Sequence, residues 1–191
     1  IDFKRAFDKV PFAKMLTQVK AHGIAGELLR WITDWTVERR QRVVLNGIAS
    51  TWADVTSSVV QGSVLGPVLF IIFINPLDKA IQSHDKETLV SKYADDTKIG
   101  RVIRDESDCA SLQHAVDNLV TWCANNGMEV HPEKCVVVHF GRNNLRHEYK
   151  IGNNVIGDST IVRDLGVLVA ESCSFSEHVN SIARKAHAVL S

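Results

Sequence analysis

The sequence predicts an α+β fold, with helices packed on an antiparallel or mixed sheet. Three observations carry this. Apolar residues recur at helical spacing in several long stretches. Short β-rich runs are punctuated by turn residues, Asn46-Gly47 most clearly. The segments follow one another as strand, helices, hairpin, helix, acidic hairpin, helix, strand, hairpin and helix, a ferredoxin-like arrangement.

Ile1 to Phe3 reads as the end of a strand. Pro11 at a first helical position opens a helix to about His22, and Gly23 suits its C-terminal cap. In the next helix Ile24, Leu28, Trp31 and Trp35 share a face, which predicts core packing rather than base-stacking platforms. Arg42 to Leu45 and Ala49 to Thr56 read as strands around Asn46-Gly47, with Arg39, Arg40 and Arg42 leading in. Those arginines suit either a phosphate chain or a solvated face. The loop Gln61-Gly62-Ser63 precedes an apolar helix ending near Gln82. Two strand-like runs, Thr88 to Ala94 and Ile99 to Ile103, then flank a pair of aspartates.

Between Asp105 and Asn126 the residues Cys109, Leu112, Val116, Leu119 and Cys123 form one helical stripe. Cys135 to Phe140 lacks polar alternation except at His139 and reads as a buried strand. Tyr149 to Ile156 and Thr160 to Val169 suggest a closing hairpin. Phe175, Val179, Ile182, Ala186 and Val189 mark a last amphipathic helix, cut off at Ser191.

A chain of 191 residues suffices for one domain with a real core, and no linker or repeat divides it. The apolar run Val64 to Leu77, interrupted by Gly66, Pro67, Asn75 and Pro76, is too short for a bilayer, which needs roughly 20 apolar residues. The four cysteines lack paired metal-site spacing, so reduced, mostly buried thiols are expected rather than a cluster of His131 with Cys135. Net charge is zero, but residues 51–133 carry six Lys/Arg against twelve Asp/Glu, whereas residues 1–50 carry nine against five. Residues 134–191 carry seven against five. An acidic middle between mildly basic flanks suits a metal centre beside a backbone-tracking channel, and suits a random charge scatter nearly as well. The chain opens at Ile1 without methionine, so a piece of a longer protein is expected.

Tyr93-Ala94-Asp95-Asp96 is the most informative run. Its adjacent carboxylates lie at a hairpin tip, where both reach one divalent-metal site. Such a site needs a third carboxylate, and Asp2, ending the first strand, is the candidate. Elsewhere a solvated Asp-Asp turn would be commonplace.

At this point the motifs line up with a known family. Asp2-Phe3-Lys4-Arg5-Ala6-Phe7-Asp8-Lys9-Val10 resembles motif A of LINE-type reverse transcriptases, and Gln61-Gly62-Ser63-Val64-Leu65-Gly66-Pro67 resembles motif B. Tyr93 to Asp96 resembles motif C. Gly127 to Cys135 resembles motif D with its lysine at Lys134, and Asp164-Leu165-Gly166-Val167 resembles the motif E hairpin. The resemblance covers essentially the whole chain in the family's order and is nearest the chicken-repeat and jockey groups of non-LTR retrotransposons.

The resemblance implies a reverse-transcriptase palm over residues 1–170 and the start of a thumb helix over 171–191, with fingers missing before Ile1 and the thumb truncated. It implies two Mg²⁺ ions, or Mn²⁺, on Asp2, Asp95, supporting Asp96 and the Phe3 carbonyl. Arg5 and Ala6 would offer backbone amides to the triphosphate, and Phe7 would be the steric gate against a ribose 2′-hydroxyl. Gln61 and Gly62 would lie against incoming nucleotide and template. Lys134 would donate a proton to departing pyrophosphate or stabilise its charge. Leu165 and Gly166 would belong to the primer grip. The implied partners are an RNA template, a DNA primer and deoxynucleoside triphosphates, with no membrane. The implied setting is intracellular, nucleus and cytoplasm, and the residues set no oligomeric state.

Three positions depart from the family pattern. Val60 stands for a usual proline, Pro76 for a usual aspartate and His131 for a usual asparagine. These changes, together with the missing fingers and truncated thumb, keep a rival open: a catalytically inactive remnant or domesticated nucleic-acid-binding module. The 191 residues alone are expected to be inactive. RNA-templated RNA polymerases and nucleotide cyclases share paired carboxylates, but Phe7 and the Gln61 to Pro67 run favour reverse transcription.

Overall fold

In the computed structural model, which describes residues 1–83 and 85–190, α1 (Phe12–Ala21) and α2 (Gly26–Thr36) come first. The apolar α3 (Leu65–Ile74) and short α4 (Leu77–Ile81) follow, then the long α5 (Glu106–Asn126) and the terminal α6 (Ser176–Leu190). Leu69, Phe70, Phe73 and Ile74 of α3 are buried with Met15 and Val19 of α1 and Leu119 and Cys123 of α5 in one core. Pro11 is extended (ψ 127°) and stands just outside α1 rather than at its first helical position. Asp105 caps α5 by accepting from the amides of Ser107 (3.0 Å) and Asp108 (3.1 Å). Gly127 closes α5 in the left-handed conformation, where any Cβ would also meet Pro11 at 2.7 Å.

The stripe expected on α2 is rotated. Ile32 and Thr36 are buried, whereas Leu28 and Trp31 point outward, Trp31 with 56% of its surface exposed. Apolar side chains occupy two adjacent faces of this helix, so spacing alone does not choose between them. On α6 no residue is buried, and Phe175, Val179 and Ile182 are exposed; Ser191 lies outside the described residues.

The strands are β1 (Arg40–Gln41), β2 (Val44–Leu45), β3 (Ile48–Ala49) and β4 (Ala53–Asp54), then β5 (Leu89–Tyr93) and β6 (Asp96–Gly100). After α5 come β7 (Val136–Val137), β8 (Lys150–Ile151), β9 (Asn154–Val155), β10 (Gly157–Asp158), β11 (Ile161–Asp164) and β12 (Val167–Ala170). The mixed α/β class is as expected. The ladders differ from one ferredoxin-like sheet: among the described residues they form two-stranded pairs, all antiparallel except β10 with β7. The expected closing hairpin is two hairpins, β8–β9 and β11–β12. The expected strand from Cys135 to Phe140 shortens to β7, with Cys135 and His139 buried but Phe140 exposed.

Sheet-like continuity survives where the N-terminal segment threads between two neighbours. The Ile1 amino group donates to the Thr97 carbonyl of β6 at 2.8 Å. On the other side Lys4 donates to Glu129 and His131 to Asp2, both at 2.8 Å. Phe3 therefore faces Val130 as a non-hydrogen-bonded antiparallel pair. Its own amide and carbonyl point away from that partner.

Side chains fasten the β5–β6 hairpin to the helices. Lys92 of β5 donates to the carbonyls of Ile74 (3.0 Å) and Asn75 (3.2 Å) and pairs with Asp78 at 2.9 Å, filling the break between α3 and α4 at Pro76. After β6, Arg101 joins Asp85 and Glu87 to Asp108, with 2.7 Å to Asp108. Arg104 pairs with Glu87 and with Asp108 at 3.0 Å. Hydrogen bonds from Arg101 hold the Asp85 carboxyl down at about 2, and those from Arg104 hold Asp108 well below the carboxylate range.

Both groups are depressed below the ordinary 3.8, so their stabilisation is complete above that value and is lost as pH falls toward 2. Circular dichroism melts between pH 7 and pH 2 are expected to show an acid limb over that window, which Arg101→Leu flattens while lowering stability at neutral pH. An unchanged acid limb in the variant would show that the network is not the source.

The start of α3 generates a second expectation. Ser63 donates its hydroxyl to the Val60 carbonyl at 2.6 Å and accepts from the Gly66 amide at 2.9 Å. A Cβ on Gly66 would stand 2.4 Å from the Val60 oxygen. Gly66→Ala is expected to cost about 1–3 kcal/mol by overpacking, read as a lower urea midpoint. Gly100, whose Cβ would meet nothing within 4 Å, is the control.

Candidate active site

Tyr93 pairs with Asp96 at the end of the β5–β6 ladder, leaving Ala94 and Asp95 as a two-residue turn. Ala94 has φ 54°, the left-handed geometry that matches strand twist in such turns. Asp95 is thereby held half-buried at the tip, while Asp96 belongs to β6 and is exposed. Asp2 comes alongside because its segment lies against β6, and its amide donates to Cys135 Sγ at 3.4 Å.

Burial first, then the negative charges of Asp96 and Asp2, push the Asp95 carboxyl above the usual carboxylate range; a backbone hydrogen bond opposes them. The three aspartates thus share one electrostatic field. Their donor atoms do not all come within 4.8 Å of one another, as those of Glu106, Cys109 and His147 do.

A cavity of about 510 Å³ has Asp2, Asp96, Lys98, Lys134 and Leu165 on its walls. It gathers candidates from four separate parts of the chain. A second, of about 470 Å³, is bordered by Phe3, Lys4, Arg5, Lys9, His131 and Lys134. Glu129, also on its wall, lies 3.8 Å from Lys4, so the cavity is strongly cationic. Lys134 stands on the wall of both. It ends a short turn over Pro132–Lys134, and its amide donates to the His131 carbonyl at 3.0 Å. Asp2, which receives the His131 amide, and Lys134 are therefore two bonds apart through one residue.

The remaining candidates sit differently. Ala6 of motif A is buried, while its neighbour Arg5 is exposed at φ 49°. Phe7 borders neither cavity; its ring stacks on Phe70 of α3, with centroids 4.3 Å apart and planes at 20°. Its carbonyl accepts from Val59 at 2.8 Å, tying motif A to the strand-like run before the Gln61 loop. Gln61 donates to Asp8 at 2.9 Å and, with exposed Gly62 (φ 79°), lies apart from the aspartate cavity. Leu165 and Gly166 form the β11–β12 turn at φ 45° and 89°.

Sequence reasoning assigned no role to Asp8, Lys98 or Phe70. Asp8 stands within the motif A run, so its position was visible but its bond to Gln61 was not. Lys98 donates to Asp164 at 2.6 Å and links the aspartate hairpin to the β11–β12 turn, a tertiary contact without sequence signal. The cysteines are free, three buried and Cys173 exposed, as expected. Burial pushes the Cys109 thiol up, which disfavours its thiolate.

The chain's relatives point the same way as its motifs. The family model for reverse transcriptase (RNA-dependent DNA polymerase) matches residues 1–175. The RNA-directed DNA polymerase from mobile element jockey of Drosophila melanogaster is 28% identical over 189 residues, covering 95% of this chain and 20% of the relative. The probable RNA-directed DNA polymerase from transposon BS of the same fly is 25% identical over 201 residues, covering 98% of this chain and 21% of the relative. The Pol polyprotein from type-1 retrotransposable element R2 of Popillia japonica is 26% identical over 144 residues, 72% of this chain and 23% of the relative. The chain spans about a fifth of the length of these curated relatives. With Asp2, Asp96 and Lys134 on the wall of one cavity, and with residues 1–175 matched by the family model, this chain belongs to the reverse transcriptase family, in its jockey-like group of non-LTR retrotransposons.

Proposed function

We propose that this chain is the palm of an RNA-directed DNA polymerase, residues 1–170, with residues 171–191 beginning the thumb. Within a complete polymerase it would extend a DNA primer with deoxynucleotides on an RNA template, while the 191 residues alone are expected to be inactive. The observation that carries the reading is the approach of Asp2 and Asp96 to the half-buried Asp95 at the hairpin tip, with none of the three in an ion pair among the described residues. All-oxygen donors left uncompensated suit hard divalent cations. Asp2 and Asp95, supported by Asp96 and by the Phe3 carbonyl that points away from Val130, would hold two Mg²⁺ or Mn²⁺ ions. Bound there, the ions supply positive charge to the attacking and leaving oxygens.

The chain's own groups do the rest. Lys4, Arg5, Lys9 and Lys134 give the cationic cavity its attraction for a triphosphate, and Lys134 protonates the departing pyrophosphate or stabilises its charge. Arg5 and Ala6 present backbone amides to the phosphates. Phe7, its ring steadied by Phe70, closes the space of a 2′-hydroxyl, and Gln61 and Gly62 meet nucleotide and template. The Leu165–Gly166 turn, fastened to β6 through Lys98 and Asp164, orients the primer end.

Asp95 yields a two-sided expectation. Its folded-state carboxyl titrates above the ordinary 3.8, so its ionised form costs stability at neutral pH. Metal-free Asp95→Asn is therefore expected to melt above the parent at pH 7, the difference vanishing as pH falls below that ordinary value. The same variant is expected to lose Mn²⁺ binding by calorimetry and primer extension in the complete polymerase. Parent-like metal affinity in Asp95→Asn would refute the assigned ligand.

The gate is tested separately. In the complete polymerase, Phe7→Val is expected to raise the ribonucleotide-to-deoxynucleotide ratio of kcat/KM by about 10-fold or more. Equal loss with both sugars would make Phe7 a packing residue of the Phe70 stack.

A further inference from the structure

The basic, aromatic β-ribbon between the two nucleotide motifs has no place in the site described so far. β1 pairs with β4 and β2 with β3, and every residue from 40 to 54 is exposed. Residues 39–53 hold three arginines and no carboxylate. The guanidinium groups are held against indoles: Arg39 lies 5.5 Å from the Trp35 ring, Arg40 6.0 Å and Arg42 4.7 Å from that of Trp52. Trp52 nevertheless keeps 50% of its surface open. Asp54 pairs with Arg40 at 3.3 Å and leaves Arg39 and Arg42 without a carboxylate partner among the described residues.

At the foot of the ribbon is a cavity of about 320 Å³, walled by Arg39, Arg40, Trp35, Asp8 and Gln61. Arg39 Nη1 is buried there with no hydrogen-bond partner. A buried guanidinium nitrogen left unsatisfied is costly, and an anionic oxygen is the ligand that satisfies it best. From this cavity the ribbon continues as guanidinium planes alternating with an open indole. Such planes, fixed by cation–π contact, receive phosphates along their edges and bases on their faces.

We infer that the β1–β4 ribbon and its basal cavity form a docking surface for single-stranded RNA. One phosphate sits on Arg39, further phosphates on Arg40 and Arg42, and a base stacks on Trp52. The inference deepens the polymerase reading, on which the strand's role as template rests, because Gln61 joins this cavity to the nucleotide motifs. A polyanion suits the run of arginines better than a protein partner does. The apolar tip formed by Val44, Leu45 and Ile48 makes a second protein copy the competing occupant.

The test is fluorescence anisotropy of a labelled 15-residue oligouridylate against this chain in EDTA, across a series of NaCl concentrations. Arg39→Gln and Arg42→Gln are each expected to weaken binding and to flatten the slope of log Kd against log salt by about 0.7. Trp52→Ala is expected to lose about 5-fold or more in affinity with the slope unchanged, and Trp52→Phe to recover most of it. Arg142→Gln, an exposed arginine elsewhere, is expected to bind as the parent. The assay runs in EDTA and the metal site is read by Mn²⁺ calorimetry, so failure of the metal site and failure of this surface are separate results. The inference is overturned if the parent does not bind the oligomer, or if all three ribbon variants keep its affinity and salt slope. Equal affinity for a blunt RNA duplex would overturn it too. So would Ile48→Lys dissociating a dimer in sedimentation while the ribbon variants leave RNA binding intact.

Discussion

Four backbone residues at the start of the chain hold the site together. The segment from Ile1 to Lys4 is hydrogen-bonded on one edge to Thr97 and on the other to Glu129 and His131. Without those bonds Asp2 has no reason to stand beside Asp95, more than ninety positions away. The same bonds set His131, and through its carbonyl the turn that carries Lys134. Backbone bonds are insensitive to side-chain identity, so this arrangement tolerates the replacement at His131 that departs from the family pattern.

The hairpin that carries Asp95 and Asp96 is secured at its far end and flank rather than at its tip. Lys92 reaches the open carbonyls at the end of α3, and Arg101 with Arg104 clamp the exit of β6 to the first turn of α5. Lys98 extends the same support to the β11–β12 turn. The tip itself carries like charge and a left-handed alanine, both unfavourable in isolation. Rigid anchoring elsewhere allows those local costs to persist where divalent ions are expected to offset them.

Left-handed non-glycine residues recur at three of the candidate loops, as Arg5, Ala94 and Leu165. Ala94 and Leu165 do so in two-residue turns that each close an antiparallel hairpin. The Phe7 ring is stacked on Phe70 and packs against the core, bordering neither of the two cavities.

By itself the sequence determined the helices whose signals are local. Asp105 and Gly127 bound α5, Asn46-Gly47 turns the β2–β3 hairpin, and Tyr93 to Asp96 make the aspartate tip, because capping and turn geometry act within a few residues. The order of motifs also identified the family, since spacing along the chain needs no fold to be seen. Tertiary structure alone decided which face of α2 is buried, because its apolar residues cover two faces and packing into the common core selects between them. It decided that the strands pair in separate two-stranded ladders, which depends on irregular segments between them. It also joined Gln61 to Asp8, Phe7 to Phe70 and Lys98 to Asp164, pairings set by long-range packing that no local pattern encodes.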